Sequence, residues 1–251
     1  MTALAKLAGV QAKRTAREPV AAFFMIAFAP LFALMMGLIF GNEPVVEFGD
    51  RGFVDANLVS FTAIVVAIGG FVVLPIDLVT QRETGALRRF RATPLRPLSY
   101  IGADVLVRLA LSLLSILVML AVGIIAFGAR PEGNLAPALL AVSAAALLGI
   151  LTFLAVGYAL AALLPSQGVA QMLGNVLVYP LILLSGAAVP LAVMPDGVRQ
   201  VAQFSPLTQL VELLQGLWTG QPVTELWLPL LVLAGVLVAA TAVAAGRFRW
   251  E

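Results

Sequence analysis

The side chains best placed to do chemistry in this chain fall in one run, Gln81-Arg82-Glu83-Thr84-Gly85-Ala86-Leu87-Arg88-Arg89-Phe90-Arg91-Ala92-Thr93-Pro94. The chemistry it suits is docking rather than bond making. Read as a helix, i, i+4, i+7 spacing puts Glu83, Leu87 and Phe90 on one face, with Arg82 and Arg89 beside them and Arg88 and Arg91 further round. Pro94 and Pro97 end it. An acid, two apolar knobs and flanking guanidiniums fit a groove on a moving soluble partner. Glu83 would pair with a basic partner residue or cap a local turn together with Thr84, and Gly85 would let the partner approach closely or simply break the helix. Leu87 and Phe90 would be buried either in that partner or against this chain's own helix ends. A second reading stays open on these residues alone, in which the arginines only set topology and touch lipid phosphates. Elsewhere the chain has no His and no Cys. That excludes a His/Cys zinc site, a thiol nucleophile, a disulfide and a Ser-His-Asp triad.

The elements that must position this run are membrane spans. The chain is 61% hydrophobic and only 11% charged, whereas a soluble domain has about a quarter of its residues charged. The few charges lie between apolar stretches long enough to cross a hydrocarbon core of ~30 Å. Residues 20–40 carry no charge and, at ~1.5 Å per residue, make about 32 Å of helix. That run is longer than the apolar core of a signal peptide and no small-x-small cleavage site follows, so it is expected to be retained. Further spans are expected at 58–76, 109–127, 136–164, 169–193 and 226–245, each bounded by charges, prolines or glycines. The expected fold is therefore an all-α integral membrane protein of six transmembrane helices in a single domain over 1–251.

Basic flanks resist translocation and so set orientation. Lys6, Lys13, Arg14 and Arg17 precede the first span, Arg82, Arg88, Arg89, Arg91, Arg96 and Arg108 lie between the second and third, and Arg247 and Arg249 end the chain. The alternate loops hold only Arg51, Arg130 and Arg199. Both termini are expected in the cytoplasm, with the chain in the plasma membrane. Residues 1–18 place Lys6, Lys13 and Arg17 on a different helical face from Leu4, Leu7 and Ala8, the pattern of a helix lying on the inner surface; an ordinary basic tail is the alternative. Within 195–222, the apolar stretch from Pro206 to Trp218 is too short to span and carries Glu212, so a re-entrant segment is expected. No internal repeat is evident, which disfavours an inverted-repeat carrier.

Polar groups inside the spans seek a partner or a watery path. Tyr158, Gln171, Asn175 and Tyr179 are candidates for lining a route, with interhelical hydrogen bonding as the alternative. Glu212 either pairs with Arg199 or sits at an exit gate. Asp77 and the i, i+4 pair Asp104 and Arg108 read as local structural charges. Gly37 and Gly41 are spaced for close helix approach, and Gly149, Gly157, Pro180 and Pro190 suggest bent or broken helices.

Glu83-Thr84-Gly85, the Leu87-Arg88-Arg89-Phe90 run and Thr93-Pro94-Leu95, set after the second of six spans, resemble the permeases of the type-2 ATP-binding-cassette exporters, in their drug- and antibiotic-resistance branch. Leu164-Pro165-Ser166-Gln167-Gly168 after the fourth span, Ser185-Gly186 ahead of Pro190 and Met194-Pro195, and Ser205-Pro206-Leu207-Thr208 extend the resemblance over nearly the whole chain. It implies a coupling helix at 81–94, with Arg82, Glu83, Thr84, Gly85, Leu87, Arg88, Arg89 and Phe90 serving a separate ATPase subunit. It also implies two ATPases, a second permease copy or homologue, and alternating access that moves an amphipathic or lipid-like cargo (drug, antibiotic or lipid) outward. The chain contains no Gly-Lys dipeptide and hence no phosphate-cradling P-loop. ATP and Mg are expected on the partner, with no cofactor, metal or catalytic residue in this chain. Lipid is the other expected partner, and nucleic acid is not one. The competing classes are a stand-alone secondary carrier and a membrane-embedded lipid-modifying enzyme. The second would want converging acids or a Ser/Lys pair, and the spans hold no Lys.

Overall fold

Backbone groups in lipid have no water to bond, so a chain this apolar satisfies them locally, and the elements among the described residues are all helices. The computed structural model describes residues 9, 11–13, 23–44, 50–85, 97–188, 191 and 194–247. The helices are α1 (Phe28–Phe40), entered through a π-helical turn at Phe23–Ala27; α2 (Phe53–Ile68), running through a second π turn at Gly69–Val73 into α3 (Leu74–Glu83); and α4 (Pro97–Phe127). They continue with α5 (Leu135–Leu163), α6 (Gln167–Leu184), α7 (Asp196–Ala202), α8 (Pro206–Trp218) and α9 (Trp227–Arg247). Among the described residues five helices are long and apolar enough to cross a membrane: the run from α2 through α3, then α4, α5, α6 and α9. α1 is shorter, at 13 residues. Of the expected surface helix over 1–18, only Gly9 and residues 11–13 are described, and they are helical.

Two helices overrun the apolar segments that hydropathy marks out. The run from α2 through α3 continues to Glu83, past the expected end at 76, and α4 begins at Pro97, ahead of 109. Charge alone does not stop a helix when the charge is paired, and Asp77, Asp104 and Arg108 bond to one another across these extensions. α6 differs in the other direction, ending at Leu184 rather than near 193. Ser185 donates its hydroxyl to the Ile182 carbonyl (2.8 Å) and accepts from the Ala187 amide (3.2 Å), and Gly186 turns the chain at φ +82°. Pro180 lies within α6, while Pro190 is outside the described residues.

The run from α2 through α3 is the axis of the bundle. Its most apolar window is 61% buried, against 17% for those of α6 and α9. Lipid tails are as apolar as leucine, so helices here gain contact by close approach of small residues rather than by hydrophobic exclusion. The second π turn is where this happens. A Cβ on Gly157 of α5 would stand 2.5 Å from the Gly70 carbonyl oxygen, and one on Gly174 of α6 would stand 2.5 Å from that of Phe71. Gly149 is likewise filled against Leu210 of α8. Both α5 glycines thus sit in an uninterrupted helix and serve packing, not a break. Gly37 faces the Phe127 ring of α4, an intramolecular contact, and Gly41 ends α1 at φ +71°. The first π turn exposes the Ile26 carbonyl, which the Ser115 hydroxyl of α4 satisfies at 2.9 Å.

α8 is about 20 Å long at 1.5 Å per residue. It is buried on nearly every side, against α2, α5 and α9, with Leu207, Leu210, Leu213, Leu214 and Trp218 among the most enclosed side chains of the molecule. Pro206 at its first turn and the Ser205 hydroxyl, which accepts from the Leu207 amide (3.3 Å), start it.

Candidate functional site: the Glu83 end of the bundle

At the end of α3 the helix stops at Glu83. The Thr84 hydroxyl donates to the Thr80 carbonyl (2.9 Å), and the Gly85 amide closes a turn on the Arg82 carbonyl (3.1 Å) with φ +70°. That backbone conformation favours glycine, so Gly85 is accounted for by the helix stop itself. A helical face from Glu83 through Leu87 to Phe90 is therefore interrupted after its first member. Leu87, Arg88, Arg89 and Phe90 lie outside the described residues.

Arg82 and Glu83 are both engaged by one turn, the link between α5 and α6. The Arg82 guanidinium donates to the carbonyls of Ala161 (3.4 Å) and Leu164. The last carbonyls of a helix lack an internal partner, and that of Ala161 is additionally orphaned because the residue four positions on is Pro165, which has no N–H. Glu83 Oε1 accepts from the Gln167 amide (3.0 Å), the first residue of α6. A carboxylate there meets an unpaired donor and the positive end of the helix dipole. The Ser166 hydroxyl accepts weakly from the Val169 amide (3.4 Å). A base caps the end of one helix and an acid caps the start of the next.

Deeper along the same helices sits a charged cluster. Arg108 Nε donates to Asp104 Oδ2 (2.8 Å), its guanidinium also bonds Asp77, and the Tyr158 hydroxyl donates to Asp104. Arg108 with its two acids ties α3 to α4, and the Tyr158 hydroxyl adds α5, so that each charge has a partner, the condition under which charge is tolerated at membrane depth. Tyr158 is 4% exposed and spoken for by this bond. It lies on α5, whereas the other proposed route residues lie on α6. Gln171, Asn175 and Tyr179 form an i, i+4, i+8 stripe on α6, with Gln171 and Tyr179 exposed and Asn175 half-buried.

Glu212 does not pair with Arg199, whose guanidinium bonds Asp196 at 2.6 Å. It lines a cleft of about 790 Å³ at the opposite end of the bundle, together with Asn57, Gln215, Trp218, Arg51 and Glu225. Burial raises the Glu212 carboxyl above its ordinary range. That end also holds a hub which the sequence did not single out. Asp55 accepts from the Arg130 amide (3.0 Å), the Trp218 indole (3.2 Å) and Arg51 Nε (3.2 Å). Its own amide donates to Asn42, which in turn donates to the Phe127 carbonyl (2.7 Å). Its only sequence signal was an acid in the first turn of a helix. Among the described residues no cluster of three or more acids is arranged to hold a metal.

Comparison with known proteins bears on the same elements. The family model described as ABC-2 type transporter matches residues 3–218. Two proteins of Mycobacterium tuberculosis, from strains CDC 1551 / Oshkosh and ATCC 25618 / H37Rv, are each named probable doxorubicin resistance ABC transporter permease protein DrrC. Each is 29% identical to this chain over 227 residues, which cover 90% of this chain and 80% of the relative.

Proposed function

This chain belongs to the ABC-2 type transporter family, and we propose that it forms half of a membrane pathway through which an amphipathic drug is exported. It is the permease subunit of an ATP-binding-cassette exporter and a multi-pass membrane protein. In the proposed assembly the full set is six spans, with the stretch from Phe23 to Phe40 completing the first, both termini cytoplasmic, and α7 and α8 re-entrant from the outer side. Two such permeases, identical or homologous, stand over two ATPase subunits that bind ATP and Mg and hydrolyse the nucleotide. The residues following Gly85, with Leu87 and Phe90 as apolar knobs and Arg88 and Arg89 as charged flanks, seat in the ATPase. Gln171, Asn175 and Tyr179 line the route, and Glu212 faces its exit. Tyr158 is assigned to the frame rather than the route.

The observation that carries this reading is the fastening of the segment leading into residues 86–96 to the ends of two helices that can span. Whatever grips that segment grips the bundle. The naming of the mycobacterial relatives for doxorubicin resistance supports a drug as cargo, and the twelve-to-three distribution of basic residues supports the orientation.

The test is co-purification with the candidate ATPase in nanodiscs, comparing wild type with the double variant Leu87→Ala, Phe90→Ala, and following doxorubicin efflux from cells that express both subunits. The expected result is a stable wild-type complex, lost or uncoupled in the variant, and efflux that needs both subunits. Efflux that persists without any ATPase would move the chain to the secondary carriers.

A further inference from the structure

Arg82 and Glu83 are consecutive residues at the last turn of α3, and the covalent chain leads from them through two residues into the proposed ATPase-binding segment. We propose that these two side chains are positioning residues, not ATPase contacts: they clamp the α5–α6 turn, so that a push on the coupling segment moves α3, α5 and α6 as one body. This rests on the reading of the chain as an ATPase-driven permease and deepens it by naming the route the push takes.

Three features carry the inference. The first is chemical matching. Arg82 reaches carbonyl oxygens and Glu83 reaches an amide hydrogen, each the sign of group that a helix end leaves unpaired. Pro165 removes the donor that would otherwise have served Ala161, so the vacancy Arg82 fills is written into the turn. The second is that α3, α5 and α6 are also pinned at the π turn, where Gly157 and Gly174 rest on the Gly70 and Phe71 carbonyls. Residues 71 and 83 lie about 18 Å apart along the helix at 1.5 Å per residue, and two pins that far apart resist hinging between them. The third is what α6 carries. Its clamped first amide is one, two and three turns from Gln171, Asn175 and Tyr179, so movement at the clamp displaces the polar stripe without a further joint.

The reading assigns Arg82 and Glu83 a different task from Leu87 and Phe90, and the test separates them. The chain has no Cys, so Val176→Cys, exposed on α6 and outside the polar stripe, gives a single site for a bimane label. Complexes with the ATPase in nanodiscs are compared in this background for the native residues, for Glu83→Ala, for Glu83→Gln, and for the swap Arg82→Glu with Glu83→Arg. The swap leaves the basic count of the loop unchanged but sets a carboxylate against carbonyls and a guanidinium against an amide. Three readouts are taken: the gel-filtration profile of the permease, ATPase retained on affinity purification, and the bimane change on adding ATP and Mg.

The expected result is retained ATPase in every variant. The bimane response should fall by about fivefold or more in Glu83→Ala and in the swap, the scale of a typical coupling free energy. It should be largely kept in Glu83→Gln, whose amide oxygen still accepts from Gln167. If the swap fails to fold, the contrast between Glu83→Ala and Glu83→Gln decides. Loss of ATPase binding in Glu83→Ala overturns the clamp by making Glu83 a direct contact. A full response in Glu83→Ala, or no response at α6 in the native background, overturns it as well. Absence of ATPase binding with the native residues removes the permease reading itself and the clamp with it, and is recognised because Glu83 has not been altered.

Discussion

The two ends of this bundle are both held by polar side chains, yet they are built differently. At the Glu83 end single charged groups reach across the sequence to cap the ends of long helices, and each cap is one side chain against one or two backbone groups. At the Asp55 end one carboxylate gathers three donors from the α2 entry, the loop before α5 and the last turn of α8. The first arrangement transmits displacement, because the tied parts are rigid rods. The second gathers a helix start, a loop and a helix end on one carboxylate, so that removing it frees several pieces at once. Between the two ends, Arg108 is a cation shared by two acids, Asp77 and Asp104.

The largest effect is expected from Arg108→Met. Truncating one partner of a buried ionic cluster typically costs about 3–5 kcal/mol, so thermal unfolding of the purified permease should drop well below that of wild type. A small drop would mean that the transmitting end does not depend on this charge and would dissolve the contrast. Asp55→Ala comes next. It strands the buried Trp218 indole, at about 1–3 kcal/mol for an unsatisfied group, and should expose residues 206–226 to hydrogen exchange while leaving 74–83 protected. Loosening of both ends together would show that they are one unit. The smallest effect belongs to Glu212. Its carboxyl titrates above the unfolded value, so the folded state holds more protons in that window and its stability falls as pH rises from the ordinary glutamate range through the raised value. Glu212→Gln should flatten that slope in melting temperature against pH; an unchanged slope would place the titrating group elsewhere.

Much of the frame is legible in the sequence. α5 and α9 lie where uninterrupted apolar runs lie, since in those stretches nothing competes with the helix. The overruns of α3 and α4 were hidden for a definite reason. A hydropathy reading stops at Asp77 and at Arg108; the i, i+4 pairing of Arg108 with Asp104 is local and legible, but its bond to Asp77, 31 residues away, is not, and that bond is what lets both helices continue. Distance along the chain likewise hid the task of Glu83, whose acceptor role involves an amide 84 residues on, and that of Tyr158, whose partner is 54 residues back. Local periodicity carries no trace of either bond. The stripe of Gln171, Asn175 and Tyr179 was legible because it depends on one helix alone.

The π turn at Gly69–Val73 has a consequence in register. A π turn contains one more residue than the α turn it replaces, so the helix on its far side is rotated by about 100° from where a continuous α-helix would leave it. The azimuth at which Arg82 and Glu83 meet the α5–α6 turn is therefore stored 10 residues away in a single surplus residue. A one-residue deletion that collapsed the π turn to an α turn would leave Arg82 and Glu83 facing the groups they cap, whereas the same deletion within α3 would turn both away by about 100°. In lineages of this chain, loss of one residue between Gly69 and Val73 should consequently be tolerated where the same loss between Leu74 and Gln81 is not.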